Sequence, residues 1–235
     1  MMNSVHTIAF DADDTLWVNE TYFHEAEMAF CELFKDKLPN KTVSEELFTT
    51  EMKNLHLYGY GVKGFMLCMM QTAGKLSNEI SYRSLAGKII EIGHDLLQKP
   101  VELLDGVAET LDQLKERYQL VVATKGDLLD QERKLKKSGL QDYFHHIEIM
   151  SDKKTSDYQK LIRHLDCKPE HFLMVGNSIK SDIVPVLETG GYAAHIPYHL
   201  TWAHEHHEQK PESEFFMEFK NIREMINYLD NKFNQ

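Results

Sequence analysis

Two aspartates close a short apolar run near the start of the chain: Ile8-Ala-Phe-Asp11-Ala-Asp13-Asp14-Thr15-Leu16. Carboxylates at i and i+2 share a face while the chain stays extended, and a turn at the end of a strand lets one point inward while the other folds over it. A pair so placed suits covalent phosphoryl transfer, in which one carboxylate attacks phosphorus and the other protonates the leaving oxygen, then takes a proton from water. A surface acidic turn has the same composition, so the motif alone leaves both readings open. A second patch, Trp202-Ala-His-Glu-His-His207, carries three histidines that would suit a metal, although a solvated loop is the simpler account. Asp14 reads as a solvated or capping carboxylate.

The elements that must position these residues follow from hydrophobic pattern. Short runs rich in β-branched and aromatic residues at Thr7–Phe10, Leu120–Ala123, Ile147–Met150, Phe172–Val175 and Tyr192–Ile196 predict five strands. Helical patterns lie between them at Gly106–Arg117, with Val107, Leu111 and Leu114 on one face, at Leu128–Lys137 and at Ile179–Thr189. This alternation predicts an α/β fold: a parallel, Rossmann-like sheet covered by helices, with ligands beyond the carboxyl ends of the strands. Residues 19–99 break the alternation. They offer helical segments at Tyr22–Phe34, Ser44–Leu57 and Asn78–Leu97 and no convincing strand, as expected of a helical domain inserted into a core made of residues 1–18 and 100–235. Within the insertion, Gly59, Gly61 and Gly64 suit a turn or hinge between helices, and Phe65–Met70 either a helix core or an interface. A terminal helix is expected over Ile222–Phe233.

Composition narrows the partners. A chain of 235 residues can bury a sizeable core, and a net charge of −11 repels nucleic acid and anionic membrane surfaces. Neither is an expected partner. No window approaches the roughly 20 apolar residues of a membrane span, and Cys31, Cys68 and Cys167 form no disulfide framework or zinc pattern, so three buried thiols in a cytoplasmic enzyme are expected. An anionic substrate would then need local cations, either a metal or a placed lysine.

The Asp11 block resembles the D-x-D-x-T signature of the haloacid dehalogenase-like hydrolases, and three later blocks resemble that superfamily's other motifs in the right order. Leu120-Val-Val-Ala-Thr124 is an apolar strand ending in Thr, followed by Lys125-Gly126-Asp127. Lys153, in Met150-Ser-Asp-Lys-Lys-Thr, stands where the third motif has its Lys, with Lys154 the alternative register. Phe172-Leu-Met-Val-Gly-Asn177-Ser-Ile-Lys-Ser-Asp182 resembles the fourth.

The resemblance implies a phosphatase in which Asp11 is the nucleophile, Asp13 the acid and base, and Thr124 and Lys153 the groups that stabilise and bind the phosphoryl oxygens. Lys125 becomes a further substrate contact, shared evenly with a solvent-exposed reading. It implies Mg2+ held by the Asp11 carboxylate, the Asp13 backbone carbonyl and Asp182. Asn177 stands where the superfamily more often has Asp; it keeps an oxygen acceptor but loses a charge, so that either the metal is held more weakly or Asn177 is hydrogen-bonded to one of its ligands. Asp13 argues against a true dehalogenase, which lacks a carboxylate at that position. The insertion resembles a helical cap that closes over small substrates. The expected activity is hydrolysis of a small phosphorylated metabolite; a phosphomutase acting on a sugar phosphate and a non-enzymatic binding or regulatory member are the alternatives, and the oligomeric state is left open.

Overall fold

The computed structural model describes residues 5–206 and 209–233, with the backbone alone at 79–81 and 230–233. The described chain divides into two compact units. One is built from the chain up to Val18, Val101–Lys125 and the chain from Gln131 onward; the other comprises Asn19–Pro100 and Gly126–Asp130.

The first unit is a six-stranded sheet in the order β3-β2-β1-β4-β5-β6, every neighbouring pair parallel. Its strands are β1 (Thr7–Phe10), β2 (Gln119–Lys125), β3 (His146–Met150), β4 (Phe172–Gly176), β5 (Tyr192–His195) and β6 (Phe216–Glu218). β1 and β4 are buried along their whole length, which is why they read as unbroken apolar runs rather than alternating ones. The alternation in which way side chains point still holds. Ile8, Phe10, Leu120, Val122, Leu173 and Val175 face one layer, against Val107, Leu111, Leu114, Met225 and Leu229. Ala9, Val121, Ala123, Met174 and Ala193 face the other, against Tyr158, Leu161, Ile162 and Val186. The covering helices are α5 (Val107–Leu114) and α9 (Ile222–Phe233) on the first face, α7 (Thr155–His164) and α8 (Val184–Leu187) on the second; α6 (Leu128–Ser138) follows β2. This is the predicted Rossmann-like sheet, and its strand order reverses direction between β1 and β4. A crevice at the carboxyl ends there is the expected ligand position.

The sequence reading differs from this sheet unit at several places. β6 was not anticipated, because three residues at a sheet edge carry little pattern. Ile179–Thr189 is not one α-helix: Ile179–Ile183 forms a π-turn before α8. Asp14 is neither solvated nor at a helix cap but buried, with φ +61°, in the tight turn where Leu16 N–H donates to Ala12 O at 2.8 Å.

The second unit holds α1 (Glu20–Glu32), α2 (Asn40–Tyr58), α3 (Val62–Leu76) and α4 (Glu79–Gln98). Phe30, Leu47, Phe65, Met69 and Ile89 are buried together in its core. Gly59 and Gly61 make the α2–α3 turn with φ +69° and +99°, backbone regions that favour glycine. Gly64 is not part of that turn: it lies within α3, where an added Cβ would stand 2.8 Å from Gly59 O. Cys31 and Cys68 are buried, but Cys167 is partly exposed, against the expectation of three buried thiols. No helix among the described residues is long and apolar enough to cross a membrane.

Candidate active site

The carboxyl end of β1 delivers Asp11 into the crevice beside β4, its N–H donating to Val175 O at 2.9 Å. From β3 the chain enters the segment before α7, and Lys153 turns inward. Its ammonium lies 2.5 Å from Asp11 Oδ1 and 2.6 Å from Asp182 Oδ1, with all three side chains nearly closed to solvent. Lys154, the alternative register, points outward and pairs with Asp152 at 3.0 Å. Burial pushes the Asp11 carboxyl up to about 7 against the pull of Lys153, and the neighbouring Asp182 adds to the rise. Burial alone would push the Lys153 ammonium down, but the two carboxylates hold it above its ordinary value. One buried cation between two buried carboxylates leaves a net negative pocket floor, a setting in which an added cation is favoured.

The loop after β4 closes around Asp182. Gly176 has no room for a side chain, since a Cβ there would meet Asp182 Cγ at 2.3 Å. Ser178 N–H donates to Asp182 Oδ2 at 3.0 Å, and the buried Tyr158 hydroxyl donates to Ser181 O at 3.1 Å and approaches Asp182 Oδ1 at 3.4 Å. Both oxygens of Asp182 are therefore engaged by the protein. Asn177 is linked to Asp11 through Thr15: the Thr15 hydroxyl is 3.3 Å from Asp11 Oδ2 and 3.4 Å from Asn177 Oδ1. His195, at the end of β5, stands with Nε2 3.0 Å from the Asn177 carbonyl.

Thr124 is buried at the end of β2, two residues past Val122, the partner of Phe10. Lys125 is neither open to solvent nor directed at Asp11. Its ammonium lies 2.5 Å from Glu205 Oε1 and 2.9 Å from Ser181 Oγ, and Glu205 Oε2 also accepts from Ser178 Oγ and Ser181 Oγ, each at 2.6 Å. Burial would raise the Glu205 carboxyl, but the Lys125 charge and these hydrogen bonds overrule it and hold it at about 2. The Trp202–His207 patch is thus not simply a solvated loop: Ala203–Glu205 forms a short 3-10 turn that sends Glu205 onto the fourth-motif loop. His207 lies outside the described residues. Glu205 and Tyr158 escaped the sequence reading. Tyr158 had a signal, since it leads the i, i+3, i+4 stripe of Tyr158, Leu161 and Ile162 on α7; Glu205 had none.

Asp13 leaves the turn in another direction. Its Oδ1 accepts from Trp17 Nε1 at 2.7 Å and Lys134 Nζ at 2.6 Å, and its Oδ2 from Gln131 Nε2 at 2.8 Å. The structure thus gathers Asp11, Thr15, Lys153, Asn177 and Asp182 around one point, and gives Asp13 a pocket of its own two residues further along the chain.

A Rossmann-like sheet with a lysine-clamped aspartate after its first strand defines a class, and similarity agrees. The chain belongs to the haloacid dehalogenase-like hydrolases, whose family model matches residues 5–185. It is similar to the HAD-hydrolase YfnB of Bacillus subtilis, 27% identical over 213 residues that cover 77% of this chain and 80% of YfnB. The YfnB crystal structure, bound to magnesium, shares the fold with a TM-score of 0.64 at 19% identity, covering 97% of this chain and 100% of that one. The crystal structure of a haloacid dehalogenase-like hydrolase from Xanthomonas campestris superposes with a TM-score of 0.84 at 33% identity, covering 98% of this chain and 94% of that one. A shorter match, 31% identical over 108 residues, is to the glyceraldehyde 3-phosphate phosphatase of Methanothermobacter thermautotrophicus, covering 43% of this chain and 47% of the relative.

Proposed function

We propose that the protein is a Mg2+-dependent phosphatase that hydrolyses a small phosphorylated metabolite through an aspartyl-phosphate on Asp11, with residues 19–99 as its cap domain and residues 1–18 and 100–235 as its catalytic core. The observation that carries the reading is the Lys153 ammonium 2.5 Å from Asp11 Oδ1. It keeps a carboxylate oriented in a buried site and supplies positive charge where a phosphoryl group would bring negative charge. The phosphatase named among the relatives supports the reaction class, and Asp13 argues against carbon–halogen cleavage.

In this reading an Asp11 oxygen attacks phosphorus while Lys153 and the Thr124 hydroxyl balance charge on the equatorial oxygens. Asp13 gives a proton to the leaving oxygen as its bond to phosphorus breaks. Asp13 then takes a proton from water as that water attacks the aspartyl-phosphate, releasing inorganic phosphate and restoring Asp11. The donor set fits a hard divalent cation, because the candidates, the Asp11 carboxylate, the Asp13 carbonyl, the Asp182 carboxylate and Asn177 Oδ1, are all oxygens. Asn177 Oδ1 and Asp11 Oδ2 both contact the Thr15 hydroxyl, whereas Lys153 and Ser178 N–H already occupy Asp182; this favours Asn177 as a direct ligand and Asp182 as the anchor of Lys153. When bound, Mg2+ would neutralise phosphoryl charge and shield it from Asp11.

The test is phosphate release from a chromogenic aryl phosphate, then from sugar phosphates, nucleotides and triose phosphates, by wild type and Asp11→Asn in Mg2+ or EDTA. Turnover by wild type only with Mg2+, and none by the variant, is expected. A folded wild type that releases no phosphate from any of these would sink the proposal, and transfer of the phosphoryl group to a second sugar oxygen would replace it with a mutase.

A further inference from the structure

The Asp13 pocket contains more than catalysis by a lone carboxylate requires. An ionised carboxylate offers about four acceptor positions on two oxygens. Here Oδ1 takes two donors, Trp17 Nε1 and Lys134 Nζ, while Oδ2 takes one, Gln131 Nε2. Gln131 and Lys134 stand at i and i+3 of α6 and so share one helix face. Gln131 is buried and commits Nε2 twice, to Asp13 Oδ2 and, at 3.2 Å, to Lys125 O at the end of β2, while its buried Oε1 has no partner among the described residues. A buried amide oxygen left unpaired costs stability, and the two bonds that Nε2 makes hold the amide in this orientation. The reverse amide orientation would set Oε1 against the Asp13 carboxylate. The Lys134–Asp13 pair is itself largely shielded, its side chains 13% and 21% exposed, and is less screened than a surface ion pair.

We propose that Lys134 is a positioning residue for the acid and base of the reaction: with Trp17 it fills Oδ1 and so presents Oδ2 of Asp13 as the oxygen through which the proton passes. The inference rests on the phosphatase reading. In the first half-reaction the Asp11 O–P bond forms as the bond from phosphorus to the leaving oxygen breaks, its electron pair moving to that oxygen, which takes the proton from Oδ2. In the second, a water proton moves to Oδ2 as the water O–P bond forms and the Asp11 O–P bond breaks, its electron pair returning to the Asp11 carboxylate. Lys134 keeps its own proton throughout and fixes the geometry of the transfer.

The test is kcat/KM across phosphate monoesters from p-nitrophenyl to simple alkyl leaving groups, for wild type, Lys134→Met, Lys134→Arg, Asp13→Asn and the Asp13→Asn/Lys134→Met double variant. Leaving groups that depart without a proton bypass Asp13 in the first half-reaction. Lys134→Met should therefore lose about tenfold on alkyl esters and little on p-nitrophenyl phosphate, with Lys134→Arg recovering part of the loss. In the Asp13→Asn background the same change should cost nothing further. An equal loss for every leaving group, or an undiminished loss in the Asp13→Asn background, overturns the assignment. If Lys134→Met does not fold by circular dichroism, Lys134→Gln carries the same comparison. Absence of any wild-type turnover would refute the phosphatase reading itself; wild-type turnover that responds to Asp13→Asn but not to Lys134→Met would refute the positioning role alone.

Discussion

Two glutamates, one in each unit, meet partial burial in opposite ways. Glu205, in the sheet unit, accepts hydrogen bonds from Ser178, Ser181 and Lys125 and is held ionised, its carboxyl at about 2. Glu51, on α2 of the helical unit, is pushed up to about 8 by burial, with the nearby Glu27 adding to the rise, and no salt bridge among the described residues includes it. The sheet unit takes carboxylates out of water beside lysines: Lys153 with Asp11 and Asp182, Lys125 with Glu205, Lys134 with Asp13. The helical unit instead neutralises its carboxyl by protonation. Desolvation raises both; at Glu205 the Lys125 charge and the hydrogen bonds outweigh it, whereas at Glu51, as at Asp11 despite Lys153, it prevails.

Lys153→Met should break this comparison most sharply. Removing the one cation between two buried carboxylates is expected to cost about 3–5 kcal/mol in urea denaturation at pH 7, besides abolishing turnover; a loss under about 1 kcal/mol would mean the pair is not buried as a unit. Glu205→Gln comes next, at about 1–3 kcal/mol near pH 7, since it leaves Lys125 without its counter-charge. The folded carboxyl titrates at about 2 against an ordinary 4.5. Its stabilisation is thus present above about 4.5 and fades as pH falls toward 2, so the gap between variant and wild type should close at pH 3 relative to pH 7. Glu51→Gln is the smallest effect and has the opposite sign. Its folded carboxyl is raised from 4.5 to about 8, so the contribution is fully present below 4.5 and is lost as pH rises through 8. Thermal melts should show the variant more stable than wild type at pH 8.5, by about 1 kcal/mol, with the difference shrinking at pH 5. A pH-independent difference would remove Glu51 as the cause.

Much of the sheet unit could be read directly. The five anticipated strands appear as β1 to β5: β1 and β4 are buried along their whole length and so are continuous apolar runs, while β3 is partly buried and interrupted by Glu148. The terminal helix falls at Ile222–Phe233 as expected. β6, at three residues, is too short to carry a pattern. α3 was obscured by Gly61, Gly64 and Gly74, residues that count against a helix in isolation, yet Gly64 is there because the chain passes too close for a side chain. α7 carried an amphipathic stripe that could have been found. The D-x-D run pointed to the carboxyl end of β1, but nothing in it foretold that Asp11 and Asp13 would face different partners.

What the sequence determined by itself is whatever depends on neighbours along the chain: the apolar strands, their alternation with helices, and the order of four motifs that marks the family. Tertiary structure alone decided the partners of the shielded charges at the site. Lys153 is 142 residues from Asp11, Lys134 is 121 from Asp13, and Glu205 is 80 from Lys125. A surface lysine and a buried one have the same letter and the same local pattern. Only when the parallel sheet brings the ends of β1, β2, β3 and β4 to one edge does burial strip away water, and each carboxylate's state then follows from the balance between that burial and the cations and donors the fold has placed beside it.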